Sequence, residues 1–286
     1  MRFGVHVSIA EKFSLAVDRA ANLSCETMQI FANQPQRWNV VQIPEEELAA
    51  FAEKNKKAKI EPVFIHSIYL INLASRNTFF YNQSIVQLAD CLKKAQKIGA
   101  AGVVTHLGAA VNLSREEALD KVAAGIDEVL AQASSGDFIV ENSAGAGNII
   151  GDSFDEIGAI VDRVKNKDRV KVALDIAHAY GAGYDVAIAE GLKQTLSQFE
   201  KLIGLDRLIL IHGNDTNVEL GSNRDRHANI GEGNIGIDGF RLIINYPRLN
   251  HLPMILETPG FKDKDADKSN LQIVKDLDES RKSIKS

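Results

Sequence analysis

The chain has 286 residues, enough for one large domain or two ordinary ones, and its 45% hydrophobic content is ordinary for a globular protein. Its formal net charge of -5 argues against a protein that coats nucleic acid through many Lys and Arg contacts. A nucleic-acid enzyme whose positive charge comes from bound metal is not excluded. The two cysteines, Cys25 and Cys91, lack metal-ligand spacing and indicate reduced, intracellular thiols.

The first residues, "MRFGVHVSIA", are strand-like and show no basic-then-apolar signal pattern. No apolar run approaches the roughly 20 residues needed to span a bilayer. We therefore expect a cytoplasmic protein without a membrane segment.

Eight short runs rich in β-branched and aromatic residues follow along the chain. Most are continuously apolar, which is typical of parallel strands buried on both faces. The predicted strands are residues 3–7, 27–31, 62–66, 102–106, 138–142, 170–175, 208–212 and 253–257.

The segments between these runs have helical patterns. Residues 84–99 place apolar side chains on one face, and Gly99 ends the pattern. The stretches Ser114–Glu117 and Ser153–Glu156 have the sequence of capping boxes.

Alternating strands and helices without a linker predict a single (β/α)8 TIM barrel over residues 1–286. An open doubly wound sheet is the alternative, but no Gly-x-Gly-x-x-Gly follows the first strand. From about residue 262 the sequence predicts a charged final helix and tail.

The third to eighth predicted strands each carry a His, Asp or Glu at or beside the carboxyl end. These residues are His66, His106, Glu141, Asp175, His212 and Glu257. In a barrel such ends converge on one mouth, where the active site lies. Carboxylates gathered there repel one another unless a multivalent cation compensates, and mixed His and carboxylate ligands favour zinc, manganese or iron.

Three further candidates, His178, Asp225 and His227, lie in loops just past strand ends. The last two precede Gly231, Gly233 and Gly236, which allow a long loop to fold tightly back over the mouth. The nine candidates include five of the 7 histidines. One zinc ion takes about four ligands, so nine candidates are too many for one ion and fit three. Three divalent ions and four carboxylates leave about two positive charges, which would attract an anionic substrate such as a phosphodiester.

These residues carry a resemblance that covers nearly the whole chain. The sequence resembles the endonuclease IV family of zinc-dependent apurinic/apyrimidinic endonucleases, and all nine family ligands fall on matching positions. The matching stretches are "GVHVS", "YLINLAS", "VENSAGAGN", "LDIAHAYGAGYD", "HGND", "DRHANIGEGNIG" and "ILETP".

The resemblance implies three zinc ions, with manganese or iron as possible replacements. The first ion would take His66, His106 and Glu141, and Glu141 would bridge to the second. The second would add Asp175, His212 and Glu257, and the third would take His178, Asp225 and His227.

The implied reaction is hydrolysis of the phosphodiester 5′ to an abasic site in duplex DNA, by a hydroxide held between the first two ions. It leaves a 3′-hydroxyl and a 5′-deoxyribose phosphate, and the family also removes blocking groups from 3′ ends. The resemblance further implies a monomer that bends DNA and flips the abasic nucleotide into its pocket.

The residues expected to contact DNA lie in loops near the barrel mouth. They are Tyr69, Arg37, Asn33 and Gln34, with His6 at the end of the first strand. The stretch "NQPQRW" has one residue more than the common family pattern, so the DNA-contacting loop of this chain differs from that pattern.

Two other classes of protein stay open. A sugar isomerase or epimerase would use Glu141, Asp175, His212 and Glu257 but would not need the other five candidates. A metal-binding or DNA-binding protein without catalysis would be favoured by a missing ligand, and none is missing.

Overall fold

A computed structural model describes residues 1–259 and 266–281. The strands in these ranges are β1 (Arg2–Val7), β2 (Thr27–Phe31), β3 (Val63–His66), β4 (Gly102–Thr105), β5 (Asp137–Glu141), β6 (Val170–Asp175), β7 (Leu208–His212), β8 (Asp215–Thr216), β9 (His227–Ala228) and β10 (Pro253–Leu256). The helices are α1 (Leu15–Asn22), α2 (Glu45–Ala58), α3 (Thr78–Ile98), α4 (Arg115–Ala131), α5 (Phe154–Arg163), α6 (Ile176–Gly181), α7 (Ala189–Leu202), α8 (Gly236–Asn245) and α9 (Ala266–Leu277).

Eight parallel strands close into a barrel in the order β1-β10-β7-β6-β5-β4-β3-β2. The short strands β8 and β9 form a separate antiparallel pair in the long connection after β7. The predicted TIM barrel is confirmed, and the open doubly wound alternative is wrong. Closure removes both sheet edges and brings all the strand ends to one mouth.

The predicted strand positions agree with the structure to within one residue at either end. The third strand begins at Val63, one residue late, because Pro62 has no N–H to donate to a neighbouring strand. Continuously buried strands such as β3 and β4 account for the apolar runs in the sequence.

The helix predictions are partly corrected. Helix α3 begins at Thr78, earlier than expected, because the Asn77 side chain accepts a hydrogen bond from Phe79 N at 2.9 Å. The capping box at Ser114 and Glu117 is present in full. At the other predicted box, Ser153 caps Glu156 N, but the Glu156 carboxylate binds Gly151 N at 2.9 Å instead of returning the bond.

The charged final helix is present as α9, whereas residues 262–265 and 282–286 of the predicted tail lie outside the described residues. Cys25 and Cys91 are both buried and unpaired. Within residues 1–259 and 266–281, no helix is long and apolar enough to cross a membrane.

Candidate metal centre and nucleic-acid groove

Six strands each place one polar side chain at the mouth, above an apolar plug that fills the barrel. The plug residues are Phe64, Val104, Ile139, Ala173, Leu210 and Ile255. Alternate residues of a strand face the same side, so the residue two positions further on also faces the barrel interior. Those residues are His66, His106, Glu141, Asp175, His212 and Glu257.

The first group of candidate ligands is His66, His106 and Glu141. Glu141 Oε2 lies 3.1 Å from His66 Nε2 and 3.4 Å from His106 Nε2. One ligand atom from each residue lies within 4.8 Å of the others. Three donors at this spacing can share one ion.

The second group contains Glu141 again, with Asp175, His212 and Glu257. Glu141 Oε1 lies 3.0 Å from His212 Nδ1. The same nitrogen lies 3.4 Å from Glu257 Oε2 and 4.0 Å from Asp175 Oδ2. The two oxygens of Glu141 therefore face different groups, which is the arrangement a bridging carboxylate requires.

The third group is built from loop and helix residues beside the strand ends. His178 lies in α6 and His227 in β9, and their Nε2 atoms are 3.4 Å apart. Asp225 Oδ1 lies 3.4 Å from His178 Nε2 and 3.5 Å from His227 Nε2. Asp175 Oδ2 also comes within 3.8 Å of His227 Nε2, so the second and third groups adjoin. The structure thus gathers all nine candidates at one mouth.

Each of the five histidines turns one ring nitrogen to the carboxylates and the other to a protein group. The partners are Ser67 O at 2.7 Å from His66 Nδ1, Ser143 Oγ at 3.4 Å from His106 Nδ1, Asn142 O at 3.0 Å from His178 Nδ1, Gln29 Oε1 at 2.9 Å from His212 Nε2 and Glu257 O at 3.1 Å from His227 Nδ1. A carbonyl oxygen only accepts, so the nitrogen beside it carries the proton. The opposite nitrogen is left free to bind a metal ion.

The electrostatics of the cluster favour cations. Burial raises the pKa of Glu141, but the imidazoles of His106 and His212 outweigh burial and hold that pKa well below its ordinary value. Burial lowers the pKa of His212, yet Glu257 and Glu141 outweigh it and raise the pKa to about 9. A hydrogen bond from His178 lowers the pKa of Asp225 to about 2. Glu141 and Asp225 therefore stay ionised, and metal ions would compete with protons for the imidazoles.

The donor set fits metal ions, as the sequence predicted. Its members are imidazole nitrogens and carboxylate oxygens, the ligands that suit zinc and other divalent transition metals. The ligand atoms in each group lie within 4.8 Å of one another. Three of the residues that supply them are buried deep in the barrel: Glu141, Asp175 and His212. Buried carboxylates this close together are stabilised by positive charge, which the neighbouring imidazoles or a bound metal ion can supply.

Three buried amides orient the ligands, and the sequence analysis did not find them. Asn142 donates to Asp175 O at 3.1 Å and accepts from Asp175 N at 2.7 Å. Asn214 donates to Asp175 Oδ2 at 2.7 Å and accepts from Glu257 N at 2.7 Å. Gln29 accepts from His212 and donates to Glu257 Oε1 at 2.5 Å. The signal for two of them was their position beside a ligand strand end, in "FIVEN" and "HGND".

The glycine-rich loop after His227 wraps around a buried carboxylate that the sequence analysis also missed. Asp215 accepts hydrogen bonds from Gly231 N at 2.9 Å, Gly233 N at 3.1 Å and Ile235 N at 3.1 Å. At Gly231, φ is +86°, in the left-handed region that favours glycine. We call this arrangement, Asp215 with residues 231–236, the Asp215 collar. It packs beside the β8–β9 pair that carries His227.

An open groove crosses the mouth. A central cavity of about 510 Å³ is lined by cluster residues together with Tyr69, His6 and Phe31. A cavity of about 590 Å³ shares His6 and Phe31 with it, and another of about 470 Å³ shares Tyr69 and the third-group residues His178 and Asp225. Tyr69 lines both the central cavity and the cavity of about 470 Å³, and it is 63% exposed. His6 lies at the mouth, with Nδ1 3.4 Å from Glu257 Oε1.

The loop that precedes Tyr69 in the groove presents two of the predicted DNA contacts and turns the third inward. Gln34 and Arg37 are exposed. Asn33 is only 1% exposed, and its amide bonds to Gln87 Oε1 at 2.9 Å and to Val41 N at 2.9 Å. This placement does not support a direct contact between Asn33 and DNA, because both ends of the amide are already bonded inside the protein.

Comparison with known proteins separates the possible classes. Residues 17–284 match a family described as "Xylose isomerase-like TIM barrel". A relative from Halothermothrix orenii, named "Probable endonuclease 4", is 39% identical over 274 residues, which cover 95% of this chain and 99% of the relative. The crystal structure of endonuclease IV from Thermus thermophilus superposes with a TM-score of 0.87 at 34% identity, covering 98% of this chain and 100% of that chain.

A D-tagatose 3-epimerase-like protein superposes as well, with a TM-score of 0.73 over 100% of both chains. Its identity is only 19%, which shows a shared fold and nothing more. The fold and the cluster define a TIM-barrel enzyme with its polar residues gathered at the barrel mouth. The chain belongs to the endonuclease IV family of xylose isomerase-like TIM barrels.

Proposed function

We propose that this protein is a DNA repair endonuclease that hydrolyses the phosphodiester 5′ to an abasic site in duplex DNA. The products would be a 3′-hydroxyl and a 5′-deoxyribose phosphate, and blocked 3′ ends would be a second substrate. The observation that carries the proposal is the convergence of nine candidate ligands, in three adjoining groups, on one open groove. Relatives named endonuclease 4 that align over nearly the whole chain support it.

We assign three zinc ions to the three groups, with manganese or iron as possible replacements. Glu141 is shared by the first and second groups because its two oxygens face different imidazoles. When bound, such ions supply Lewis acidity to the phosphate and lower the pKa of a coordinated water.

The chain's own residues would hold and orient the substrate. The ionised carboxylates and fixed imidazoles give the site its shape before DNA arrives, because nearly every donor has a second bond to the protein. Exposed Tyr69 stands in the groove above the cluster, where it can enter the space left by a missing base. A duplex that already lacks one base is the cheapest to open, which favours abasic sites.

The proposed function is tested with a duplex that carries one abasic analogue, an undamaged duplex as control, and zinc-loaded protein. A single cut 5′ to the lesion that leaves a 3′-hydroxyl is expected, with the control intact. No cut by a protein that holds its full metal complement would contradict the proposal. Sugar epimerisation, the alternative chemistry on this fold, would then be assayed.

Glu141→Gln is expected to lower turnover by about a hundredfold or more, because an amide cannot bridge two metal groups as a carboxylate does. Glu53→Gln is the matched control, since Glu53 is an exposed residue that pairs with Lys57 on the surface of α2. Incision rates of both variants in a zinc-replete assay give the measurement. Near-normal incision by Glu141→Gln would refute the assignment of Glu141.

A further inference from the structure

Three buried polar side chains and the partly buried Asp90 form a network beneath the loop of residues 33–41, away from the metal cluster. We call the network of Asn33, Gln87, Asp90 and Lys94 the loop clamp. Lys94 is only 6% exposed, and its Nζ donates to Asp90 Oδ2 at 2.6 Å and to Asn33 Oδ1 at 2.9 Å. Asn33 Nδ2 in turn donates to Gln87 Oε1 at 2.9 Å and to Asp90 Oδ2 at 3.0 Å.

The loop clamp fastens the loop backbone at both ends and near the middle. Lys94 Nζ donates to Val41 O at 2.8 Å and lies 3.4 Å from Ala32 O, so one ammonium group ties the two ends together. The Gln87 amide donates to Trp38 O. The Trp38 ring also stacks on Phe80 of α3, with centroids 6.1 Å apart and an interplanar angle of 24°.

The fastened loop carries exposed polar residues toward the groove. Gln34, Gln36 and Arg37 are exposed, and Gln34 lines the cavity that shares His6 and Phe31 with the central cavity. Pro35 O accepts a hydrogen bond from Tyr69 N at 2.9 Å, which links the loop to the residue that stands in the groove. Burying a lysine costs desolvation free energy, and the four oxygen neighbours of Lys94 offset that cost. The result is a fixed loop geometry, which we expect to be used.

We propose that Lys94 is a positioning residue that holds residues 33–41 as a preformed DNA-reading surface. The proposal rests on the proposed function for the identity of the ligand, duplex DNA with an abasic site. Holding the loop in one conformation before binding removes the entropy cost of ordering it on DNA. None of the four clamp side chains is a candidate metal ligand, so the clamp acts on recognition and leaves the hydrolytic centre unchanged.

The test compares Lys94→Met with Lys93→Met, which removes the same charge from an exposed neighbour on α3. Each is assayed on the abasic duplex and on bis(p-nitrophenyl) phosphate, a small phosphodiester that cannot reach the loop. For Lys94→Met we expect KM for the duplex to rise by about tenfold or more, with kcat for the small diester within about twofold of the parent. Lys93→Met should match the parent on both substrates.

A second variant and a second readout keep the result decisive. Gln87→Met keeps the ion pair between Lys94 and Asp90 but removes the hydrogen bond to Trp38 O. It should also raise KM for the duplex, by a smaller factor than Lys94→Met. Amide hydrogen exchange of residues 33–41, measured without DNA, should become faster in Lys94→Met while β5 and β6 stay protected. An equal loss on both substrates, or unchanged loop exchange, would overturn the proposal. A parent protein that leaves the abasic duplex uncut would instead overturn the proposed function, and loop exchange would still decide whether the clamp holds the loop.

Discussion

At the scale of single residues, one neutral amide links two candidate ligands of the second group, His212 and Glu257. Gln29 is fully buried, with its oxygen 2.9 Å from His212 Nε2 and its nitrogen on Glu257 Oε1. The amide cannot be reversed, because the ionised Glu257 carboxylate only accepts and needs the NH2 end of the amide, which leaves the Gln29 oxygen to accept from His212 Nε2. Gln29 therefore selects the His212 tautomer whose Nδ1 faces Glu141.

Gln29→Leu removes this selection with little change in volume. We expect a loss of metal affinity of about 10–100-fold in the second group, the usual effect of losing a partner that orients a ligand. Competition with a zinc-selective chelator measures it. Thr27→Val is the control, since Thr27 is equally buried on the same strand and donates to Pro62 O. Equal zinc affinity in the two variants would contradict the role of Gln29.

The six strand-end candidates could be located from the sequence because strand alternation constrains them, whereas His178, Asp225 and His227 were proposed from their positions just past strand ends. A continuous apolar strand that ends in a lone His, Asp or Glu leaves that side chain at the mouth, as at His212 and Glu257. The amides of Gln29, Asn142 and Asn214 were not predicted. In the sequence, an uncharged amide residue inside or beside a strand cannot be distinguished from an ordinary turn or core residue. Only their partners, which are distant in sequence, reveal what they do.

At the scale of elements, the Asp215 collar shows why a ligand pair is followed by a run of glycines. The sequence predicted a loop folded over the mouth. The structure shows the reason for the tight folding, which is that backbone N–H groups converge on one buried carboxylate. At Gly233 a Cβ atom would lie 2.3 Å from Asp215 Oδ1 and 2.5 Å from Thr216 O, which leaves no room for a side chain.

Gly233→Ala is expected to displace the collar from β8 and, with it, the β9 residue His227. The expected loss is about 3 kcal/mol in the free energy of unfolding, together with a lower metal count in the third group. Gly99→Ala is the control, because Gly99 lies outside the collar at the end of α3, its φ is +71°, and apart from its chain neighbours and the backbone of α3 no heavy atom lies within 4 Å of the added Cβ. That backbone strain alone costs about 1–2 kcal/mol.

Urea unfolding and zinc content per chain compare the two variants. Equal stability losses with full zinc retention would show that the collar is not needed to place His227.

The N-termini of two helices show where tertiary contacts override the local sequence motif. The box at Ser114 formed as predicted, because the Glu117 carboxylate returns its bond to Ser114 N at 2.8 Å. Glu156 occupies the same position relative to Ser153, but Gly151 N and the Arg115 side chain take its carboxylate. No local motif reports such a competitor, so the half-formed box was not predictable.

At the scale of the whole molecule, the barrel closes where β1 pairs with β10, the first and last strands. The segment after α9 holds the outside of this seam. Arg281 donates to Glu26 Oε1 at 2.9 Å, to Glu26 Oε2 at 2.7 Å and to Met1 O at 2.7 Å. Its guanidinium also lies 5.0 Å from the Phe3 ring centroid. Because β10 leads directly to Glu257, this seam supports one wall of the metal centre.

Arg281→Ala should therefore lower the free energy of unfolding at neutral pH by about 1–2 kcal/mol, a modest value because the pair is partly exposed. Burial raises the pKa of Glu26, but the hydrogen bond from Arg281 outweighs it, and the net pKa is lowered from 4.5. A carboxylate with a lowered pKa in the folded state stabilises the protein above its unfolded pKa and loses that effect as the pH falls through the folded value. The difference between parent and variant should consequently be full at neutral pH and shrink once the pH is below 4.5.

Urea unfolding of both proteins across this range, with a chelator present so that metal loss at acid pH affects neither, gives the comparison. Arg248→Ala serves as the control, since Arg248 and its partner Glu200 are about half exposed, at 54% and 47%. It should cost no more than about 0.5 kcal/mol. If Arg281→Ala cost no more than the control, or if its cost were the same at every pH, the seam would be held by the β1–β10 hydrogen bonds and core packing alone.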